Sequence, residues 1–232
     1  LTELLVVIAV VALVFCFQLP VLARAKAQTA MAQCANNVRR FALTLQLYGN
    51  DNNAQLPTLP SGSWAMDFPK SLMNTLNKYG MQWNQYYCPA NLRITNTHGG
   101  DFASIVAITY ATTLPGVTAI IASNLNSTII PQPVSLGSFR LASPDASQRV
   151  LVADTTICLT FSTPSQTNAA TYNWTNISGG SRFPYRTSHM STRTNLPAGG
   201  NLGMLDGHAE WRRFSDMLPR GGSGSSTPVF WW

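Results

Sequence analysis

The first 48 residues hold no glycine and one proline, Pro20, and their apolar residues fall in a pattern that only a long helix can use. From Leu4 to Phe17 every side chain is apolar. With Gln18 to Leu22 added, the run reaches the roughly 20 residues a helix needs to cross a bilayer. Beyond Pro20 the residues Ala23, Ala27, Ala30, Cys34, Val38, Phe41, Leu45 and Tyr48 step by three or four, one stripe of an amphipathic helix. Gly49-Asn50 is the stop signal. The pattern predicts one stem helix over 1–49, about 70 Å long at 1.5 Å per residue, with a kink or melted turn before Pro20. Residues 1–22 are apolar all round and must meet lipid or other apolar helices. Residues 23–49 have one apolar face to lay on a domain of their own chain.

Glu3 is the only charged side chain between Leu1 and Arg24. A carboxylate in hydrocarbon costs on the order of 2.5–3.5 kcal/mol by insertion scales, which points to a partner of opposite charge. A cleaved signal peptide fits the run poorly, because no basic segment precedes it and the helical pattern continues past Arg24 without a small-residue cleavage site. Arg24 and Lys26 mark a membrane edge.

Charged residues make up 10% of the chain, and Ser, Thr, Asn and Gln crowd the part beyond Tyr48, a composition of exported proteins. The net charge of +6 is spread thinly apart from Arg24/Lys26, Arg39/Arg40 and Arg212/Arg213, so no specific nucleic-acid partner is expected.

Residues 50–219 read as a β-rich head. A polar connection from Asn50 to Trp64 leads to a short helix with Asp67 near its cap, Leu72, Met73, Leu76 and Tyr79 on one side, and Gly80 at its end. Strand-like runs follow at 103–113, 149–153, 157–161, 201–205 and 208–214, the last two joined by the hairpin signal Asp206-Gly207. Ser143-Pro144-Asp145 reads as a short helix start. Residues 162–201 read as long surface loops, and 220–232 as a flexible tail whose three terminal aromatics dock on a neighbour. The fold class expected is α+β, a long N-terminal helix packed on an antiparallel sheet domain with long loops.

Cys16 lies in the apolar run, leaving Cys34, Cys88 and Cys158. In an oxidising compartment one disulfide is expected. Cys34 with Cys88 would tie the stem to the head and close a loop of about 55 residues, worth roughly 4 kcal/mol in the chain-entropy model. The alternative is three buried free thiols.

Four other groups of residues invite chemical readings. Asn50, Asp51, Asn52 and Asn53 offer the hard oxygens a calcium ion takes, or else form a helix cap and turn. Asp154, His189, Asp206 and His208 are a candidate zinc-type cluster if the strands at Arg149 and Asn201 are neighbours; the plain alternative makes Asp206 a turn residue and His208 a strand residue. Asn126, Asn173 and Asn176 begin Asn-x-Ser/Thr sequons, candidate glycan sites that belong on surface loops. Cys158 or a serine with His189 or His98 would be needed for nucleophilic catalysis, but no nucleophile elbow, phosphate-binding glycine loop or HExxH is present, and no enzyme is expected.

The segment LTELLVVIAVVALVFCFQLPVLARAKAQ resembles the N-terminal helix of type IV pilins and type II secretion pseudopilins, which a prepilin peptidase cleaves and which is then methylated. The spacing from Glu3 to Pro20 is similar to that family's, and the resemblance implies that Leu1 is the third mature residue, with about two residues missing before it. CANNVRRFALTLQLYGNDNNAQLP, CPAN at Cys88 to Asn91, and His189 followed by NLGMLDGHAEW resemble pilin-like proteins of planctomycete and verrucomicrobial type with a C-terminal His…Asp-Gly motif, although His189 and Asp206 lie further apart here.

The resemblance implies a filament subunit, held in the inner membrane before assembly and at the cell surface after it. Its partners would be copies of itself, the prepilin peptidase and a pilus or secretion machinery. Assembly would use Leu4, Leu5, Val6, Val7, Ile8, Val10, Val11, Leu13, Phe15 and Phe17, with Pro20, and with Glu3 meeting the amine of a neighbouring subunit. A pseudopilin of a type II secretion system and a membrane-anchored surface-binding module are the alternatives.

Overall fold

The computed structural model describes residues 2–91, 104–131, 135–136, 139–140, 145–160, 163–179, 184–221 and 228–232; the side chains of residues 9–21, 23–24 and 132–144 and of Leu5 fall outside the description. It is a mixed helical and antiparallel-sheet protein in which one long helix lies on a four-stranded sheet.

Helix α1 runs from Thr2 to Asp51, 50 residues without a break, passing through Pro20 where a kink or melted turn was expected. It also passes the expected stop at Gly49-Asn50 by a residue. Its end is made by capping: Asn52 Nδ2 donates to the Tyr48 carbonyl at 2.7 Å, Ala54 N to the Gly49 carbonyl at 2.8 Å, and Asn53 takes a left-handed φ of 54°. The amide cluster that invited a calcium reading is the helix cap itself.

The stripe of α1 is buried from Cys34 onward. Cys34, Val38, Phe41, Ala42 and Leu45 are fully covered, whereas Ala27 is exposed and Ala30 half-buried. Among the described side chains of the stripe, full burial therefore begins at Cys34, later than the sequence suggests; Ala23 lies outside the description.

Strands β1 (Asp67–Pro69) and β2 (Ile105–Ala107) pair with each other, and helix α2 (Lys70–Lys78) follows β1 directly. Asp67 is thus a strand residue, its carboxylate accepting from Trp64 N at 2.9 Å, and α2 starts after Pro69. Met73 and Leu76 are its buried side chains, and Gly80, with φ of +101°, ends the turn that closes it.

The main sheet is built from β3 (Tyr110–Thr112), β6 (Val150–Asp154), β8 (Gly199–Met204) and β9 (Ala209–Arg213) in the order β3-β6-β8-β9, all antiparallel. Two-residue strands complete the set: β4 (Ser135–Leu136) with β5 (Phe139–Arg140), and β7 (Ile157–Cys158) with β10 (Val229–Phe230). Residues of β6 and β8 are buried throughout, as expected of central strands covered on both faces, while the edge strand β9 carries Glu210, Arg212 and Arg213. The expected strand 103–113, whose first residue, Ala103, lies outside the described residues, is two strands, broken where Thr109 turns its carbonyl to Thr155 N and Oγ1. The hairpin at Asp206-Gly207 joins β8 to β9 as expected, with Gly207 at φ of +88°. The run at Ile157 is shortened to β7 and followed by a bridge from Leu159 to Asn173. The expected helix start before Arg149 is a single 3-10 turn, Ala146–Gln148; Ser143 and Pro144 lie outside the described residues.

Two expectations about the surface are corrected. The terminal aromatics do not form a flexible tail: Pro228 to Trp232 are buried, β10 pairs with β7, and Trp231 is fully enclosed by Tyr172, Trp174 and Phe214 in a second apolar cluster. Three consecutive aromatics have too much apolar area to leave in water, and this chain covers them itself. The expected loop region is not merely superficial, since Trp174, Ile177 and Tyr185 from its described residues, 163–179 and 184–198, are buried.

Candidate functional site

Where α1 first meets the head, four reactive side chains converge. Cys34 of α1 and Cys88, in the turn that follows the 3-10 segment Trp83–Tyr86, form a disulfide with their Cα atoms 5.1 Å apart. Asp154, at the end of β6, puts Oδ1 2.8 Å from Cys34 Sγ and Oδ2 3.0 Å from His189 Nε2. His189 Nε2 lies 3.5 Å from Cys88 Sγ. All four side chains are buried, and their ligating atoms lie within 4.8 Å of one another.

Each member is positioned by local structure. β6 and β8 are neighbours, so Asn201 faces Asp154 and donates to its Oδ2 twice, from the backbone N and from Nδ2, both at 2.7 Å. The Cys88-Pro89-Ala90-Asn91 segment turns back on itself, with Asn91 N donating to the Cys88 carbonyl at 2.9 Å, while Asn91 Nδ2 reaches Ser188 Oγ at 3.4 Å. Ser188 N donates to Thr155 and Ala198 N to the His189 carbonyl, both at 2.8 Å, which pins the histidine backbone between β6 and β8. Its ring stands edge-on to Trp211, centroids 5.4 Å apart at 79°. Tyr110 Oη completes the surround, 3.6 Å from Cys34 Sγ. Burial, reinforced by the neighbouring Asp154 carboxylate, holds the Tyr110 phenol well above its ordinary range, so it remains an O–H donor.

The candidate metal cluster is half assembled as expected. Asp154 and His189 meet, but Asp206 and His208 pair with each other in the exposed hairpin turn, Oδ1 to Nδ1 at 2.6 Å. Both lie in the four-residue connection between Met204 and Ala209 and are exposed, apart from the buried pair. Asp206 is held below its ordinary range: its partial desolvation works upward, but the His208 backbone N–H, the ring and its charge outweigh it. Cys34 and Cys88 take the two vacated roles, so two unrelated sequence expectations, a disulfide and a metal cluster, fall on one site. Asn201, Tyr110 and Trp211 carry no motif. Asn201 alone left a trace, as a polar residue in an otherwise apolar strand.

Cys158 is apart from this cluster and unsuited to nucleophilic work. Burial pushes its thiol up to about 12, although Trp231 Nε1 donates to Sγ at 3.2 Å. His98 lies outside the described residues. Of the sequons, Asn173 and Asn176 are exposed, but Asn126 is buried, donating to Thr113 Oγ1 and to the Val150 carbonyl and accepting from Arg149 Nε, which leaves no amide free for a glycan.

Of the expected assembly residues, Glu3 lies in the first turn of α1, exposed like its neighbours Leu4, Val6, Val7 and Ile8, at 68%, 62%, 58% and 54%. The side chains of Leu5, Val10, Val11, Leu13, Phe15, Phe17 and Pro20 lie outside the described residues. Among the described residues no helix is long and apolar enough to cross a membrane. A groove of about 660 Å3 opens between α1, at Lys26, Ala30 and Met31, and the head, with His189, Met190 and Trp211 in its wall. Set against family models, curated proteins and solved structures, the chain matches none of them.

Proposed function

We propose that this chain is a pilin-like structural subunit that polymerises through the first half of α1 into a cell-surface filament. The observation that carries the reading is the exposed apolar side chains of the first two turns, Leu4, Val6, Val7 and Ile8, on a helix in which Cys34 is the first fully buried side chain among the described residues. Large apolar side chains turned to water on several sides of a helix call for a cover that surrounds it. Copies of the same helix provide one, each burying the other, and a bilayer provides the one before assembly. Prepilin peptidase and a pilus or secretion machinery would act on this segment.

Glu3 fixes the register. Buried in a bundle of stems, its carboxylate is tolerable only against an ammonium, and the N-terminal amine of an adjacent subunit is the nearest group of that kind in such a packing. Removing the acid leaves an amine unpaired, at about 3–5 kcal/mol. Glu3→Ala should therefore leave processed chain in the membrane and lower the yield of sheared fibres by on the order of tenfold or more, read by immunoblot of sheared and membrane fractions. Electron microscopy of the sheared material should find this chain in fibres. Its recovery only as a membrane-bound monomer would defeat the filament reading, and wild-type fibre yield from Glu3→Ala would defeat the role given to the acid.

A further inference from the structure

We propose that Cys34, Cys88, Asp154 and His189 form a redox-gated metal site. Oxidised, the cysteines close it as a disulfide; reduced, the same four side chains hold one thiophilic divalent cation of the zinc type through two thiolates, His189 Nε2 and the Asp154 carboxylate.

The donor set and its geometry both suit such an ion. Zinc takes four ligands tetrahedrally, with sulfur at about 2.3 Å and nitrogen or oxygen at about 2.0–2.2 Å, so that neighbouring ligand atoms stand about 3.3–3.8 Å apart. Cys88 Sγ and His189 Nε2 are already 3.5 Å apart, His189 Nε2 and Asp154 Oδ2 3.0 Å, and Cys34 Sγ and Asp154 Oδ1 2.8 Å. For the tetrahedron the two sulfurs must part and the two shorter spacings must open by about half an ångström.

Asp154 gives an independent reason. Its Oδ2 is well supplied with donors by Asn201 and His189, but its Oδ1 points at Cys34 Sγ, and a disulfide sulfur has no hydrogen to give. Among the described residues that oxygen has no other partner, which is costly for a buried carboxylate, and the cost disappears when a thiol or a cation takes that place. Asn201 also does for Asp154 what outer-shell partners do around metal ligands, fixing the carboxylate by two hydrogen bonds. The groove along α1 gives access, since His189 lies in its wall beside Pro89 and Ala90, the residues next to Cys88.

The chemistry balances. A dithiol reductant gives two electrons and two protons to the Cys34–Cys88 bond and leaves as its own disulfide, and the divalent cation then displaces the two thiol protons to solvent. The stem is thus held to the head by a covalent link in one state and by a metal link in the other.

The test uses the full chain in detergent, either with its disulfide intact or reduced anaerobically with dithiothreitol and freed of it, then titrated with zinc and with cobalt. Reduced chain should retain one equivalent of metal and show a tetrahedral cobalt spectrum with a thiolate charge-transfer band; oxidised chain at the same concentrations should retain none. In the reduced state His189→Ala and Asp154→Asn should weaken binding by about tenfold or more and change the cobalt spectrum. Both should still form the Cys34–Cys88 disulfide on oxidation, which shows that they fold. His208→Ala should bind as the wild type does. Absence of binding by the reduced chain, equal binding by the oxidised chain, or unchanged binding by His189→Ala would each overturn the proposal.

Discussion

Asp67 and Asp154 are two carboxylates taken out of water with different support. Asp154 receives Asn201 twice and His189, whereas Asp67 has Trp64 N at 2.9 Å and Tyr185 Oη at a long 3.4 Å. For Asp67 desolvation outweighs those hydrogen bonds and raises it above its ordinary 3.8. An acid raised in the folded state binds its proton more tightly there, so its contribution to stability is greatest in acid and declines as pH rises from 3.8 through the folded value. Asp67→Asn has no such proton and should gain on the wild type over that rise. Urea midpoints of the two chains between about pH 3 and 7 measure this; a difference that stays constant would show that burial does not govern the group. Single residues are also where the sequence misleads most. Asn126 satisfies a glycan sequon but is a buried strut between β6 and the loop before it, because a sequon specifies three letters and says nothing of which neighbours close over them. Asp206 and His208 look like ligands and are turn partners, since two residues of spacing suffice for them to find each other.

At the scale of elements, the approach of α1 to the sheet is set by one glycine. A Cβ on Gly203 of β8 would stand 3.0 Å from Val38 Cγ1, 3.1 Å from Ala42 Cβ and 3.1 Å from the Val38 carbonyl. Backbone cannot move aside as a long side chain can, so Gly203→Ala should destabilise the fold by about 1–3 kcal/mol through overpacking, and Gly203→Leu by more. Urea unfolding checks both, and a neutral Gly203→Leu would mean that α1 is not seated on β8. Local rules served elements well. The helix followed from its glycine-free, three-and-four-step pattern, and the β8–β9 hairpin from Asp206-Gly207, since both signals act over neighbours in sequence. The split between β2 and β3 did not show, because its cause is the carbonyl of Thr109 serving Thr155, a contact no period encodes.

Across the whole molecule, the chain end is the piece that sequence reading placed wrongly. Trp231 sits among Tyr172, Trp174 and Phe214 and donates to Cys158, and Trp232 N donates to the Leu218 carbonyl at 3.3 Å. Trp231→Ala should cost about 3–5 kcal/mol, and removing Val229 to Trp232 should cost more, since β7 then loses its partner strand. Chemical denaturation of both variants decides it; wild-type stability after the truncation would return the segment to the status of a tail. The candidate site was legible in halves for a related reason. Each pair, Cys34 with Cys88 and Asp154 with His189, was readable from residue type, but their meeting depends on where α1 crosses β6 and β8, which only the assembled fold decides.

Among the described residues, Cys34 is also the first of α1 that the head encloses. A pull along the helix axis enters the head at that point, and the covalent bridge to Cys88 carries it straight into the segment after α2. The sheet is spared the shear, because the tension bypasses the hydrogen-bonded ladder of β6, β8 and β9. Under load the oxidised molecule is a bolted joint, and the reduced one without metal is a seated joint held by the packing of α1 on β6 and β8 alone.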